Sequence, residues 1–174
     1  MKILIISLPR TGSTSLMKRI AESNNLKPIF EPFGITNPTS PNLNYDMVSD
    51  IVVKTMIFDT INTSDDNIQF YTDFSKKFDE VILLSRKNLK ECAESLAYME
   101  KWVGNGYTSH NQYVWNESGL NIDGKYEFVK RQNADLEKLS EILNIPITYY
   151  EDIFDINSNQ RYRKNVKIDK SKLI

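Results

Sequence analysis

The chain has 174 residues, of which 40% are hydrophobic and 26% are charged, and its formal net charge at pH 7 is −1. This length is enough for one domain with a sizeable core but cramped for two, so we expect a single domain over residues 1–174. The nearly balanced charge argues against a broad surface for nucleic acid or for an anionic membrane.

Cysteine and histidine each occur once, as Cys92 and His110. A single cysteine cannot form an internal disulfide, which favours the reducing cytoplasm, and a single histidine excludes a His-rich metal site. The apolar run at residues 1–8 is too short to span a membrane, and it lacks the small-residue cleavage site of a signal peptide. We therefore expect a cytoplasmic protein without a metal centre.

Short apolar runs alternate with segments of helical periodicity along the chain. The predicted strands are residues 3–6, 27–30, 51–53, 81–84 and 146–150. Four helices are predicted: one after residue 15, one over residues 67–77, one that begins at residue 88 and one over residues 125–143. Residues 101–124 are predicted to be a long irregular segment of the kind that binds ligands. Strands that are apolar throughout and alternate with helices predict a mostly parallel central sheet in a three-layer α/β/α fold.

The turn between the first strand and the first helix is rich in hydroxyl side chains. Residues 8–16 read LPRTGSTSL, which combines one glycine and one arginine with four Ser or Thr residues. A helix N-terminus presents unpaired N–H groups and a partial positive charge, and the Arg10 guanidinium and the hydroxyls add to it. This segment predicts an anion-binding site, for which phosphate is the usual ligand.

Charged side chains follow four of the predicted strands. Arg10, Glu31, Lys54 and Arg86 each come just after an apolar run. Because ligands of parallel sheets bind at the carboxyl ends of the strands, we expect these four side chains to meet at one edge.

The first turn is not a Walker A motif, because it lacks the leading glycine and the lysine after Gly12. It resembles the 5′-phosphosulfate-binding loop of the sulfotransferases, in which Arg or Lys is followed by Ser/Thr-Gly-Ser/Thr-Ser/Thr. The run from Arg10 to Thr14 matches every position. The resemblance implies a P-loop, sulfotransferase-like topology and a donor, 3′-phosphoadenosine 5′-phosphosulfate (PAPS). The donor would be bound by Arg10, Thr11, Gly12, Ser13, Thr14 and Ser15.

Two further segments resemble the site for the donor's 3′-phosphate. Sulfotransferases form this site from an Arg at a strand end and a Ser on the next helix, and Arg86 and Ser95 resemble that pair. Lys87 is the alternative candidate for the position of Arg86. Near the C-terminus, Arg163 and Lys164 are similar to an Arg-Lys pair that clamps the same phosphate, although the glycine that usually follows is an asparagine here.

The segment Glu31-Pro32-Phe33 resembles a stretch of carbohydrate and tyrosyl-protein sulfotransferases whose Glu is the general base. A carboxylate can take the proton of an acceptor hydroxyl while its oxygen attacks sulfur. Cytosolic small-molecule members use a His instead, and His110 lies in the long irregular segment, so bacterial, carbohydrate and tyrosyl-protein members are the better match. Lys54 could stabilise the sulfuryl oxygens or the bridging oxygen.

The resemblance implies an enzyme that moves a sulfuryl group from PAPS to an acceptor hydroxyl or amine, releases 3′,5′-ADP (PAP) and needs no metal. A small-molecule or carbohydrate acceptor is the expected partner, while lipid and peptide acceptors stay open. Two alternatives remain: a nucleotide- or phosphate-binding module without catalysis, and a small P-loop nucleotide kinase.

Overall fold

The computed structural model describes residues 1–33, 43–58, 66–104 and 119–154. Within these ranges, five strands form one sheet in the order β2-β3-β1-β4-β5, and every neighbouring pair is parallel. The strands are β1 (Lys2–Ser7), β2 (Lys27–Phe30), β3 (Ile51–Met56), β4 (Glu80–Ser85) and β5 (Ile147–Tyr149). The prediction of a parallel sheet is confirmed, and the first strand lies at its centre.

Helices connect and cover the strands. They are α1 (Ser13–Asn24), α2 (Asn67–Ser75), α3 (Leu89–Gly104), α4 (Ile122–Leu143) and α5 (Tyr150–Ile153). The predicted irregular segment at 101–124 is wrong at both ends, because α3 continues to Gly104 and α4 begins at Ile122. The earlier start of α4 has a local cause, since the side chain of Asn121 accepts the Gly124 N–H at 3.0 Å and caps the helix.

Alternate residues of the central strand enter two separate cores. Ile3 and Ile5 pack with α1 and α5 on one face of the sheet, while Leu4 and Ile6 pack with α2, α3 and α4 on the other. The predicted inward face of α1 is confirmed, since Leu16, Met17, Ile20 and Ala21 are all buried. Two covered faces confirm the three-layer α/β/α fold.

Four of the five described strands differ from their predicted bounds, and the differences in β3 and β5 affect the site. β3 continues to Met56, so Lys54 lies inside the strand and not at its end. β5 stops at Tyr149, and Tyr150 begins α5 instead of ending the strand. No helix in the described ranges is long and apolar enough to cross a membrane.

Candidate functional site

The strand order places the four predicted charged side chains in a row. Glu31 follows β2, Lys54 lies on β3, Arg10 follows β1 and Arg86 follows β4. Neighbouring strands lie about 4.8 Å apart, so the row from β2 to β4 extends over about 14 Å. Glu31, Arg10 and Arg86 follow their strands at the carboxyl edge of the sheet, which is where ligands of parallel α/β proteins bind, and Lys54 lies two residues before the end of β3.

The turn before α1 contains two left-handed residues. Arg10 has φ 60° and Gly12, the N-cap, has φ 72°. The Thr11 hydroxyl is fully buried and donates to the Leu8 carbonyl at 2.9 Å, so it braces the turn from inside. Of the other predicted hydroxyl ligands, Ser13 is buried, while Thr14 and Ser15 are exposed in the first turn of the helix. Thr11 therefore stabilises the turn from inside, while Thr14 and Ser15 are accessible to a ligand.

The N-terminus of α1 lacks a side-chain cap in the described part of the chain. Asp66 caps α2, the side chain of Asn88 accepts the Glu91 N–H in α3, and Asn121 caps α4. The first turn of α1 also contains no acidic residue. Its first N–H groups and the positive end of the helix dipole therefore have no carboxylate of this helix to neutralise them.

Tyr150 covers the turn. A Cβ built on Gly12 would lie 2.6 Å from Cε2 and 2.9 Å from Cδ2 of the Tyr150 ring. The ring is held from its other sides, because Phe154 lies against it with centroids 4.5 Å apart and the Arg86 guanidinium lies 5.1 Å from its centroid. Only glycine combines this close approach with a left-handed backbone.

Arg10 and Ser95 are in direct contact, although 85 residues separate them. The Arg10 Nε–H donates to Ser95 Oγ at 2.9 Å, which joins the turn to the middle of α3. Cys92, one turn earlier on α3, is fully buried and its thiol donates to the Pro9 carbonyl at 2.8 Å. Burial raises the pKa of this thiol to about 12, against the opposing effect of the positive charges on Arg86 and Arg10. Both guanidiniums therefore lie near the same point on α3.

The Arg86 guanidinium faces two carboxylates. Its Nη2 donates to Glu91 Oε2 at 2.6 Å, and its Nε lies 3.5 Å from Glu151 Oε1. The Nε atom is buried and makes no hydrogen bond to any residue that the structure describes. The Arg86 Nε–H is thus a buried donor at the edge of the sheet, and the guanidinium that carries it lies over the Tyr150 ring.

Glu31 and Lys54 form an ion pair. Phe30 and Lys54 are register partners in β2 and β3, and the Glu31 N–H continues the ladder by donating to the Lys54 carbonyl at 2.6 Å. The chain then turns, with φ 36° at Glu31, and brings Glu31 Oε1 onto Lys54 Nζ. The Lys54 side chain is only 5% exposed and that of Glu31 is 26% exposed.

The aromatic side chain of Phe33 anchors the Glu31 segment. Its ring makes edge-to-face contacts with Phe70 and Phe74 of α2, at centroid distances of 4.9 and 5.1 Å. Such pairs have a preferred geometry, so they restrain the short segment between β2 and Phe33.

Tyr150 and Glu151 are site residues that the sequence analysis did not select. Both follow β5 directly, so the carboxyl-edge rule that selected Arg10, Glu31, Lys54 and Arg86 also applies to them. Arg163 and Lys164, predicted to clamp the 3′-phosphate, lie outside the described residues, as does His110.

Comparisons with known proteins do not place this chain in a family. No protein-family model matches it, and no curated protein matches it. Among the described residues, no group of three or more His, Cys, Asp or Glu side chains could hold a metal ion. The functional assignment therefore depends on the arrangement of the residues at the sheet edge.

Proposed function

We propose that this protein transfers a sulfuryl group from PAPS to an acceptor hydroxyl or amine and releases PAP. The observation that carries the proposal is the order of groups along the carboxyl edge: Glu31 and Lys54, then Arg10 with the uncapped start of α1, then Arg86. This order corresponds to an acceptor, a sulfuryl group, a 5′-phosphate and a 3′-phosphate arranged in a line.

At the reacting end, Glu31 acts as the general base. One of its carboxylate oxygens is held by Lys54, and the other takes the proton of the acceptor as the acceptor oxygen or nitrogen forms its bond to sulfur. The bond between sulfur and the bridging oxygen breaks, and the electron pair stays with the 5′-phosphate. Lys54 supplies the positive charge nearest to the sulfuryl oxygens in this arrangement.

In the middle of the row, the N–H groups of the first turn of α1 and Arg10 stabilise the negative charge that develops on the leaving phosphate. Preorganised donors of this kind typically contribute about 3–4 kcal/mol each to the transition state. At the far end, Arg86 and Ser95 face the 3′-phosphate. The Arg10–Ser95 hydrogen bond supports this assignment, since it connects the two predicted phosphate sites.

The proposed setting is the reducing cytoplasm, which suits a chain whose one thiol is buried and unpaired. We propose a carbohydrate or small-molecule acceptor. The row of groups at the sheet edge includes a proton acceptor, Glu31, and this favours transfer over passive binding.

Ligand-induced stabilisation separates the proposal from its alternatives. The thermal midpoint of the full chain should rise more with PAP than with equal concentrations of 5′-AMP or of ATP with Mg²⁺. An equal or larger response to ATP with Mg²⁺ would favour a nucleotide kinase and contradict the proposal.

The 3′-phosphate site is tested with Arg86→Ala, for which Lys87→Ala is the matched control. Arg86→Ala should weaken PAP binding at least about tenfold more than 5′-AMP binding, because only PAP carries the 3′-phosphate. Lys87→Ala should change both affinities alike. If Lys87→Ala is the variant that removes the preference for PAP, the 3′-phosphate contact belongs to Lys87.

The catalytic step is tested with Glu31→Gln and labelled PAPS against pools of acceptors. The variant should bind PAP normally and lose transfer by about 10²- to 10⁴-fold, which is the usual contribution of a general base. Glu22→Gln, on the exposed side of α1, should transfer normally. Wild-type protein that binds PAP but transfers to no acceptor would favour the binding module.

A further inference from the structure

The carboxylate of Glu151 occupies an anion position next to Arg86. Its Oε2 accepts the Lys87 N–H at 2.9 Å, and its Oε1 accepts the Asn88 N–H at 3.3 Å. Its Oε1 also lies 3.5 Å from Arg86 Nε. Two consecutive backbone N–H groups thus donate to one carboxylate, and the Arg86 guanidinium lies at ion-pair distance from it. This carboxylate comes from α5, more than 60 residues further along the chain.

These three donors, called here the Arg86 cradle, are of the kind that binds phosphate. Backbone N–H groups at the start of a helix and an Arg fork are standard phosphate ligands. The carboxylate does not satisfy the cradle completely, because the buried Arg86 Nε has no hydrogen-bond acceptor in the described part of the chain. A tetrahedral phosphate has an additional oxygen with which to reach this donor, and a carboxylate does not.

We propose that Glu151 is an internal competitor for the 3′-phosphate of the nucleotide, and that it sets how strongly the protein prefers 3′-phosphorylated ligands. The inference rests on the proposed function, since it assigns the Arg86 cradle to the 3′-phosphate. Two anions cannot share the cradle, because like charges about 4 Å apart repel strongly in a partly desolvated site. Binding of the 3′-phosphate therefore requires Glu151 to leave, and its return favours release of PAP.

The displacement of Glu151 also affects the loop that binds the 5′-phosphate. Glu151 is the second residue of α5, and its neighbour Tyr150 lies on Gly12 and beside Arg86. When Glu151 leaves the cradle, α5 loses one of its attachments to the start of α3. Occupation of the 3′-phosphate position thereby weakens the attachment of the helix that carries Tyr150, the residue that covers the turn before α1.

The test compares PAP and 5′-AMP binding by isothermal titration in the full chain and in Glu151→Gln. Glutamine keeps an oxygen that can accept the N–H groups but removes the charge. We expect Glu151→Gln to bind PAP at least about tenfold more tightly than wild type and 5′-AMP within about twofold. Asp152→Asn is the matched control, because Asp152 lies on the same turn but pairs with the Lys87 ammonium. It should change neither affinity by more than about twofold.

An unchanged or lower ratio of PAP to 5′-AMP affinity in Glu151→Gln overturns the inference, as does an equal effect of Asp152→Asn. If Glu151→Gln does not fold, Glu151→Asp withdraws the carboxylate from the cradle and should shift the ratio in the same direction. Sulfuryl transfer by the wild type reports on the proposed function separately. Transfer with no shift in the ratio overturns only the role of Glu151, whereas a shift without transfer supports that role and counts against the enzyme.

Discussion

Replacing Gly12 with alanine tests how tightly α5 closes over the first turn. The substitution adds one methyl group at a position with φ 72°, where that methyl would lie 2.6 Å from one carbon of the Tyr150 ring and 2.9 Å from another. Two separate penalties therefore apply. One comes from the left-handed backbone, and the other comes from the ring.

The size of each penalty follows from the local geometry. A left-handed conformation costs an ordinary L-residue about 1–2 kcal/mol. Inserting a methyl group into a filled space costs about 1–3 kcal/mol, because Tyr150 must move although Arg86 and Phe154 hold its ring in place. The sum is about 2–5 kcal/mol in the free energy of unfolding. In a protein of this length it corresponds to a decrease of roughly 4–20 °C in the thermal midpoint.

A double-mutant cycle with Tyr150→Ala separates the two penalties. Urea denaturation of the wild type, both single variants and the double variant gives the coupling energy between the sites. We expect Gly12→Ala to cost about 1–3 kcal/mol less when the ring is absent, since only the backbone penalty remains. Gly119→Ala is the matched control, because Gly119 also has a left-handed φ, 76°, and a Cβ there would meet no atom of the described residues within 4 Å.

Two results would refute this reasoning. If Gly12→Ala and Gly119→Ala destabilise the protein equally, the Tyr150 ring does not restrict the turn. If the coupling energy is zero, the ring moves away without loss, and α5 does not hold the first turn closed. Either result would also remove the proposed connection between the Arg86 cradle and the loop that binds the 5′-phosphate.

Three further substitutions follow from the site and the core. Lys54→Met should destabilise the protein by about 1–3 kcal/mol in urea, less than the loss of a partner in a fully buried pair, because Glu31 is partly exposed and can be hydrated; an unchanged stability would contradict a structural role for the pair. Phe33→Ala should lower sulfuryl transfer more than PAP affinity and cost about 2 kcal/mol, since its half-buried ring holds the Glu31 segment; equal losses of transfer and of PAP affinity would count against that role. The wild type should lose stability as pH rises from about 9 towards 12, because the unfolded chain releases the Cys92 proton while the folded chain retains it. The contribution of Cys92 to this loss is at most about 1.4 kcal/mol per pH unit, and Cys92→Ser should lack that contribution. Parallel curves of stability against pH for wild type and Cys92→Ser would contradict this last expectation.

The strands and helices could be predicted from the sequence because the spacing of apolar residues within each one is typical of its type of secondary structure. The four inward residues of α1 are all buried, and the second strand has its predicted bounds. One predicted bound failed because a neighbouring strand extends the element. Lys54 is followed by two more strand residues because Thr55 and Met56 pair with β1, a contact that no local period reveals.

The sequence by itself determined the three-layer α/β/α class, the turn before the first helix, and the position of Arg10, Glu31 and Arg86 after their strands. Only the tertiary structure decided the order of those residues and their partners. Glu31 joins Lys54, Arg10 joins Ser95 and Arg86 faces Glu151 because the strand order β2-β3-β1-β4-β5 brings their strands together. Hydrophobic periodicity acts over a few residues, whereas these contacts join groups 23 to 85 residues apart. The partners of a polar side chain depend on which strands become neighbours, and that is a property of the whole sheet.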